Sequence, residues 1–395
     1  MRRLLVVSVG LAALMVGVVV AWYSVRQERE FQRLIAAGDA ALARDETSNA
    51  IEAFSGALAL KRESMVAYLK RGDTYRRRGE LSAALRDLGQ AAALDTAAPR
   101  PVELLGDVYA AMGNYQRAAE HYRSFTQLDD RSPRVLYKLA LAYFRNGQTA
   151  DAVEPLQHAV GLDGRFAEAH YLLAMCLRAR SGDNAALPGL MRAVEINPAF
   201  VEAREELADV YSKSGQRQKA IEQLEALSAL EPGRAERLIS LGLAYARWGR
   251  TESAILALGR AAERFPDQTA AYIALGRVWL DIAESRNDRI ALSKAIEALQ
   301  PRAMRADASS DALTWYGRAM FLSGDAARAE GALFRATSRA PVDPLALRYL
   351  ADAAEHLGHR GTAREALVRY AALVADSDLD PTINARLARL EGSSQ

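Results

Sequence analysis

Two patterns of apolar positions divide the chain. From Leu4 to Val25 the sequence LLVVSVGLAALMVGVVVAWYSV runs without a charge, with Arg3 before it and Arg26 after it. From Phe31 onward the apolar residues return at helical spacing instead, in paired blocks of about a dozen residues. The blocks repeat. With Phe31, Met65, Pro99, Pro133, Ala167, Val201, Ala235, Thr269, Ser310 and Pro344 as position one, nine repeats have 34 residues and one, residues 269–309, has 41. With the insertion left out of the count, position 20 is alanine in all ten, from Ala50 to Ala363. Position 8 is always glycine or alanine, and position 7 is leucine in seven repeats. Position 11 is tyrosine in five repeats and Trp279 in another, and position 15 is glycine in seven.

This spacing predicts two helices per repeat, joined by a glycine turn. Small residues at positions 8 and 20 let the two helices approach, and large ones at 7, 11 and 24 fill the space beside them. Proline at position 32 (Pro198, Pro232, Pro266, Pro341) ends the second helix. A lone hairpin cannot bury both faces, so the hairpins are expected to stack. Pro155 and Pro188 fall early in two second helices and are expected to shorten or kink them. The extra residues of the eighth repeat, AESRNDR at Ala283–Arg289, are polar and read as a longer hairpin loop. After Asp380-Pro381, residues 382–391 read as one more helix with Arg386 and Arg389 outward, a solubilising cap.

The pattern resembles the tetratricopeptide repeat (TPR) family, whose W-x-x-L-G-x-x-Y, A, F, A, P series stands here as Leu238, Leu241, Gly242, Tyr245, Ala254, Leu258, Ala261 and Pro266. The family's tryptophan at position 4 is absent. The resemblance implies an all-α, right-handed superhelical solenoid of about ten hairpins with a C-terminal capping helix. The expected organisation is a stub at 1–3, a transmembrane anchor at 4–25, a charged stem at 26–30, repeats at 31–377 and a capping helix with tail at 378–395.

The anchor reading rests on length. The 22 uncharged residues span about 33 Å as a helix, close to the thickness of a bilayer's hydrocarbon core. Trp22 and Tyr23 close the stretch with interfacial rings. The rival reading is a secretory signal peptide cut weakly after Val19-Val20-Ala21, which would leave Trp22 as the new N-terminus. Arginines flank both ends almost equally, so orientation leans only on the short stub staying inside, which places the repeats outside the cytoplasm. With no Gly or Pro between Gly17 and Gly38, the segment is expected to run into the first repeat as one helix.

Composition narrows the function. Lys plus Arg total 51 against 49 Asp plus Glu, a net charge of +2, without the basic excess of a nucleic-acid binder. The single cysteine, Cys176, excludes a disulfide framework or an all-cysteine metal site within one chain; it lies among apolar residues and reads as core. Alanine- and arginine-rich usage suggests a bacterial source. No nucleophile–base–orienter set is visible, so no catalytic residue, cofactor or small-molecule substrate is expected. His356 and His359 flank the turn glycine Gly358 and lack the glutamate of a metalloprotease helix. Asp376, Asp378 and Asp380 begin like a calcium loop, but Pro381 replaces its glycine and Leu387 its final glutamate. The Arg76–Arg77–Arg78 run complements a helix C-terminus or meets anionic headgroups.

In this family, positions 2, 5, 6, 9, 12 and 13 of the first helices line a concave groove. Here they carry Tyr137, Leu141, Phe144, Tyr171 and Met175 in the middle repeats, then Leu243, Trp315 and Phe321. Apolar residues at normally wet positions mark a peptide- or helix-binding surface; the competing reading is that part of the stripe packs between neighbouring repeats. The asparagines of the family's carboxylate clamp and asparagine ladder are missing at position 9. The resemblance thus implies a non-catalytic, membrane-anchored bacterial scaffold that binds a protein or peptide partner and assists envelope assembly, secretion or export. The alternatives are a cleaved, soluble periplasmic adaptor and a regulatory subunit of an enzyme complex.

Overall fold

The computed structural model describes residues 2–374 and 381–391, and the side chains of residues 14–374 and 382–390. The described residues form 21 α-helices and no strand. The chain divides into two compact units, Met1–Ala203 and Arg204–Gln395. In the first, α1 (Arg2–Ala43) packs on α2 (Thr47–Leu60), α3 (Met65–Arg77) on α4 (Leu81–Leu94), and α5 (Pro99–Ala111) on α6 (Tyr115–Leu128). There too α7 (Pro133–Arg145) packs on α8 (Val153–Leu162), and α9 (Ala167–Ser181) on α10 (Asp183–Ile196). The α11 helix (Val201–Lys213) begins in the first unit and ends in the second. The second unit continues with α12 (Arg217–Leu230), then α13 (Ala235–Arg247) on α14 (Thr251–Arg264), and α15 (Thr269–Arg286) on α16 (Arg289–Ala303). It closes with α17 (Ser310–Leu322) on α18 (Ala326–Thr337), α19 (Pro344–Leu357) on α20 (Arg360–Leu373), and α21 (Pro381–Glu391) against α20. From α3 to α19, each odd-numbered helix starts at the residue assigned to position one.

The small residues do the spacing the sequence requires. All ten alanines at position 20 are fully buried, each with 0% exposure. A β-carbon on Gly242 would stand 2.5 Å from Cγ of Leu258, and one on Gly38 2.3 Å from the Phe54 ring. The position-24 side chains therefore sit directly on the backbone of the facing helix. Leu88, Leu156, Leu190, Leu258, Leu299, Leu333 and Leu367 at this position are wholly buried. Each contributes about 1.5–3 kcal/mol relative to exposure. The hairpin turn needs a left-handed residue, and Gly113 supplies it at φ +74°.

Several expectations change in three dimensions. The insertion at 283–289 is not a long loop. It extends α15 to Arg286, buries Ile282 and Ala283, and leaves a tight turn in which Asn287 takes φ 51° and the Asp288 side chain caps α16. Burial of that apolar pair favours helix over loop. Pro155 does shorten its helix, since α8 has 10 residues where most second helices have 14. Pro188 does not shorten α10, which keeps 14 residues; a β-carbon on the next residue, Gly189, would lie 2.9 Å from Cβ of Ala174. Arg386, expected to face water, bridges Asp352 at 2.9 Å and Glu355 at 3.0 Å, while Ile383 on the same helix is buried. Asp376, Asp378 and Asp380 lie outside the described residues.

Among the described residues no helix is long and apolar enough to cross a membrane. The expected span at 4–25 falls in part outside the described side chains, which begin at Leu14. From there α1 runs unbroken into the first repeat. Gln27 donates to the Leu60 carbonyl at 2.8 Å, Glu28 pairs with Lys61, and the Lys61 ammonium lies 4.6 Å from the Phe31 ring centre. The stem is thus fastened to α2 rather than hanging free.

Candidate functional site: the first-helix face

Several first helices touch the first helix of the next repeat: α3 meets α5 and α7 meets α9 in the first unit, and α13, α15, α17 and α19 meet in succession in the second. Within each unit these helices lie side by side, and they carry the positions read as groove-lining.

In the first unit, Tyr137, Leu141 and Phe144 on α7 and Tyr171 and Met175 on α9 are each half-buried. The inner edges of Tyr137, Leu141 and Phe144 rest on the core around Leu139, Tyr143 and Leu172, and all five side chains keep partial exposure to solvent. The two tyrosines share an arrangement. Tyr137 packs on Phe166 with ring centres 5.1 Å apart at 50°, and Tyr171 on Phe200 at 5.1 Å and 47°. Tilted pairs of this kind stabilise by about 0.5–1.5 kcal/mol beyond burial. Phe166 and Phe200 were missed in the sequence because they occupy the last position of a repeat, before the helix starts. Their common spacing to the tyrosines was the available signal.

Beside this stripe lies an ionic cluster. Lys138 reaches Glu103 at 2.7 Å and Asp107 at 2.8 Å, and the Tyr122 hydroxyl donates to Asp107 at 2.7 Å. Burial works to raise the Glu103 pKa, but Lys138 and Arg100 together hold it below the ordinary carboxylate value. Burial, with Asp107 second, pushes the Tyr122 phenol well up. The cluster is a satisfied network that ties α5 to α7. The arginine run is likewise paired: Arg76 and Arg77 with Asp73, and Arg78 with Glu80.

In the second unit the residues singled out are more enclosed. Trp315 is clamped, with the Arg277 guanidinium 4.5 Å from its ring centre and Tyr349 edge-on at 6.2 Å. Arg318 stacks on Tyr349 at 4.8 Å and reaches Glu284 at 2.9 Å. Phe321 meets His356 edge-on at 5.9 Å. These contacts join successive repeats, so here much of the apolar stripe is inter-repeat packing. Leu243 stands apart at 38% exposure. The two histidines do not converge on one point: His359 Nδ1 donates to the Glu330 carboxylate 2.9 Å away, while His356 lies on Phe321. Among the described residues no group of three or more His, Cys, Asp or Glu side chains is placed to hold a metal. Cys176 is fully buried.

Comparison with known proteins gives one family. The model of the tetratricopeptide repeat family matches residues 35–100, 103–165, 137–199 and 205–269. No curated protein matches. Among solved structures, the chain is similar to YrrB, described as a TPR protein with an unusual peptide-binding site, at 24% identity over 48% of this chain and 97% of that one, TM-score 0.42. It is also similar to a MamA fragment from Desulfovibrio magneticus RS-1 at 22% identity, over 43% and 96%, TM-score 0.41. PilF from Pseudomonas aeruginosa matches at 18% identity, over 57% and 98%, TM-score 0.46. With the family model aligned over more than half of its residues and a helix starting at position one of every repeat from the second to the tenth, the chain belongs to the tetratricopeptide repeat family.

Proposed function

We propose that this chain is a non-catalytic scaffold that holds a segment of a partner polypeptide on the first-helix face of its first unit. The observation that carries the reading is the half-buried stripe of Tyr137, Leu141, Phe144, Tyr171 and Met175, five large side chains that a partner would finish burying. We further propose that the segment around residues 4–25 tethers the scaffold to a membrane, in the service of envelope assembly, secretion or export. In support, the large side chains described from Leu14 to Val25 are 52–68% exposed on all sides of α1. A helix apolar all round calls for a cover of lipid or protein. Because the stem is fastened to α2, the first repeat would sit close to the bilayer.

The test is cross-linking in cells expressing the full chain, followed by purification from membranes and identification of what is captured. The control carries Tyr137→Glu, Phe144→Glu and Tyr171→Glu, after circular dichroism has shown its helix content unchanged. A partner captured by the wild type and lost from the control supports the groove, and its compartment reports the side of the membrane. Equal recovery from both refutes the groove. Extraction of the chain by alkaline carbonate, or a mature N-terminus near Trp22, refutes the tether and favours the soluble adaptor.

A further inference from the structure

Pro155 opens a second surface in the first unit. Leu81 and Tyr115 begin their second helices sixteen residues after the first residue of the repeat, whereas Val153 begins α8 twenty residues after Pro133. Proline fits only the first turn of a helix, so α8 cannot start a turn earlier. Residues 149–152 form a turn instead. Ala150 and Asp151 of that turn line a cleft of about 700 Å³ among α6, α7 and α8. None of Tyr137, Leu141 and Phe144 lines it.

The cleft has two independent features. Its apolar lining, Leu136, Leu139, Tyr143 and Pro155, belongs to buried residues that nonetheless border open space. Its charged lining is unbalanced. Asp130, Asp151 and Glu154 are exposed and form no ion pair among the described residues; the Asp151 carboxylate accepts only from Gln148, at 3.1 Å. The one guanidinium in the lining, Arg123, is engaged by a phenol: its Nε donates to the Tyr143 hydroxyl at 3.0 Å, and its Nη2 donates there as well. His158 completes the lining. The adjoining loops do not redress the balance, because Arg131 and Arg134 stand with Asp129 and Asp163 around a separate hollow.

We propose that this cleft takes a lysine or arginine side chain of a partner polypeptide. The proposal is independent of the first-helix reading. Such a side chain is apolar along its stem and charged at its head. The stem fits against Leu136, Leu139 and Pro155, and the head meets the three carboxylates. A bare cation would leave the apolar lining wet, and a purely apolar residue would leave the carboxylates without a counter-charge.

Three labelled peptides test this on the full chain by fluorescence anisotropy. They share one leucine–alanine frame and carry arginine, its neutral isostere citrulline, or norleucine at the centre. The arginine peptide is expected to bind at least about tenfold more tightly than the citrulline peptide at low salt, with the advantage shrinking as salt screens it. Asp130→Asn with Asp151→Asn and Glu154→Gln removes that preference. Ala150→Trp, at an exposed position, fills the cleft and weakens all three peptides. Phe144→Glu leaves all three unchanged. Circular dichroism first shows that each variant keeps its helix content. No binding of the arginine peptide, equal affinity for arginine and citrulline, or an arginine preference that survives the carboxylate variant overturns the proposal. So does binding lost in Phe144→Glu and kept in Ala150→Trp, which assigns the peptides to the first-helix face. Spermidine displacing the arginine peptide at equal concentration makes the occupant a free polyamine and overturns the polypeptide.

Discussion

Arg71 sits at position 7 of the second repeat, where seven other repeats carry leucine. Its guanidinium reaches Asp87 through two hydrogen bonds of 2.6 and 2.9 Å and Ser55 through a third of 3.1 Å. The side chains are 21% and 10% exposed. An apolar contact of the repeat has thus been replaced by an ion pair. Removing one partner strands the other in a site mostly closed to water. Asp87→Ala should cost about 3 kcal/mol, the lower end for a buried pair because Arg71 keeps some solvent. Arg71→Leu alone should cost about as much, since Asp87 is the more buried partner. The double variant recreates the leucine–alanine pairing of Leu241 with Ala257 and Leu350 with Ala366. It should lie within about 1 kcal/mol of wild type, because a well-packed apolar pair replaces a buried ion pair at little cost. The coupling between the two sites would then be about 5 kcal/mol. Urea unfolding followed by circular dichroism gives the totals. Hydrogen exchange across α3 and α4 localises them, which matters because repeat arrays unfold in parts. An Asp87→Ala change within about 0.5 kcal/mol of wild type, or a double variant as damaging as the two singles added, would refute the reasoning.

Two glycine substitutions should cost stability for different reasons. Gly113 has φ +74° and nothing within 4 Å of a built β-carbon, so Gly113→Ala carries only the left-handed backbone penalty of about 1–2 kcal/mol, and Gly113→Asn less. Gly242→Ala drives a methyl into Leu258 and should cost about 1–3 kcal/mol by overpacking; equal thermal midpoints for Gly113→Ala and Gly113→Asn would sink the first account. Burial pushes the Cys176 thiol from an ordinary value of 9.0 up to about 11. The folded state thus favours the neutral thiol, and this contribution is complete below pH 9 and lost as pH rises toward about 11. The stability difference between wild type and Cys176→Ala should therefore narrow over that range, and iodoacetamide should label the thiol only on unfolding; fast labelling of the native chain at pH 8 would contradict the burial.

The amino-acid sequence determined everything that recurs. A 34-residue period of small and large residues dictates where helices begin, because only Ala50 and its counterparts at position 20 fit the line where two helices touch. Backbone and steric rules act within one hairpin and so leave a periodic trace. Tertiary structure decided what occurs once. It turned the polar insertion at 283–289 into an extension of α15, because the burial of Ile282 and Ala283 outweighs local polarity. It joined Tyr137 to Phe166 and Tyr171 to Phe200, clamped Trp315 between Arg277 and Tyr349, and took Arg386 out of water. Such contacts form between residues about one repeat apart, at positions whose side-chain type changes from repeat to repeat. No local pattern encodes them, and only the stacked helices bring the partners within reach.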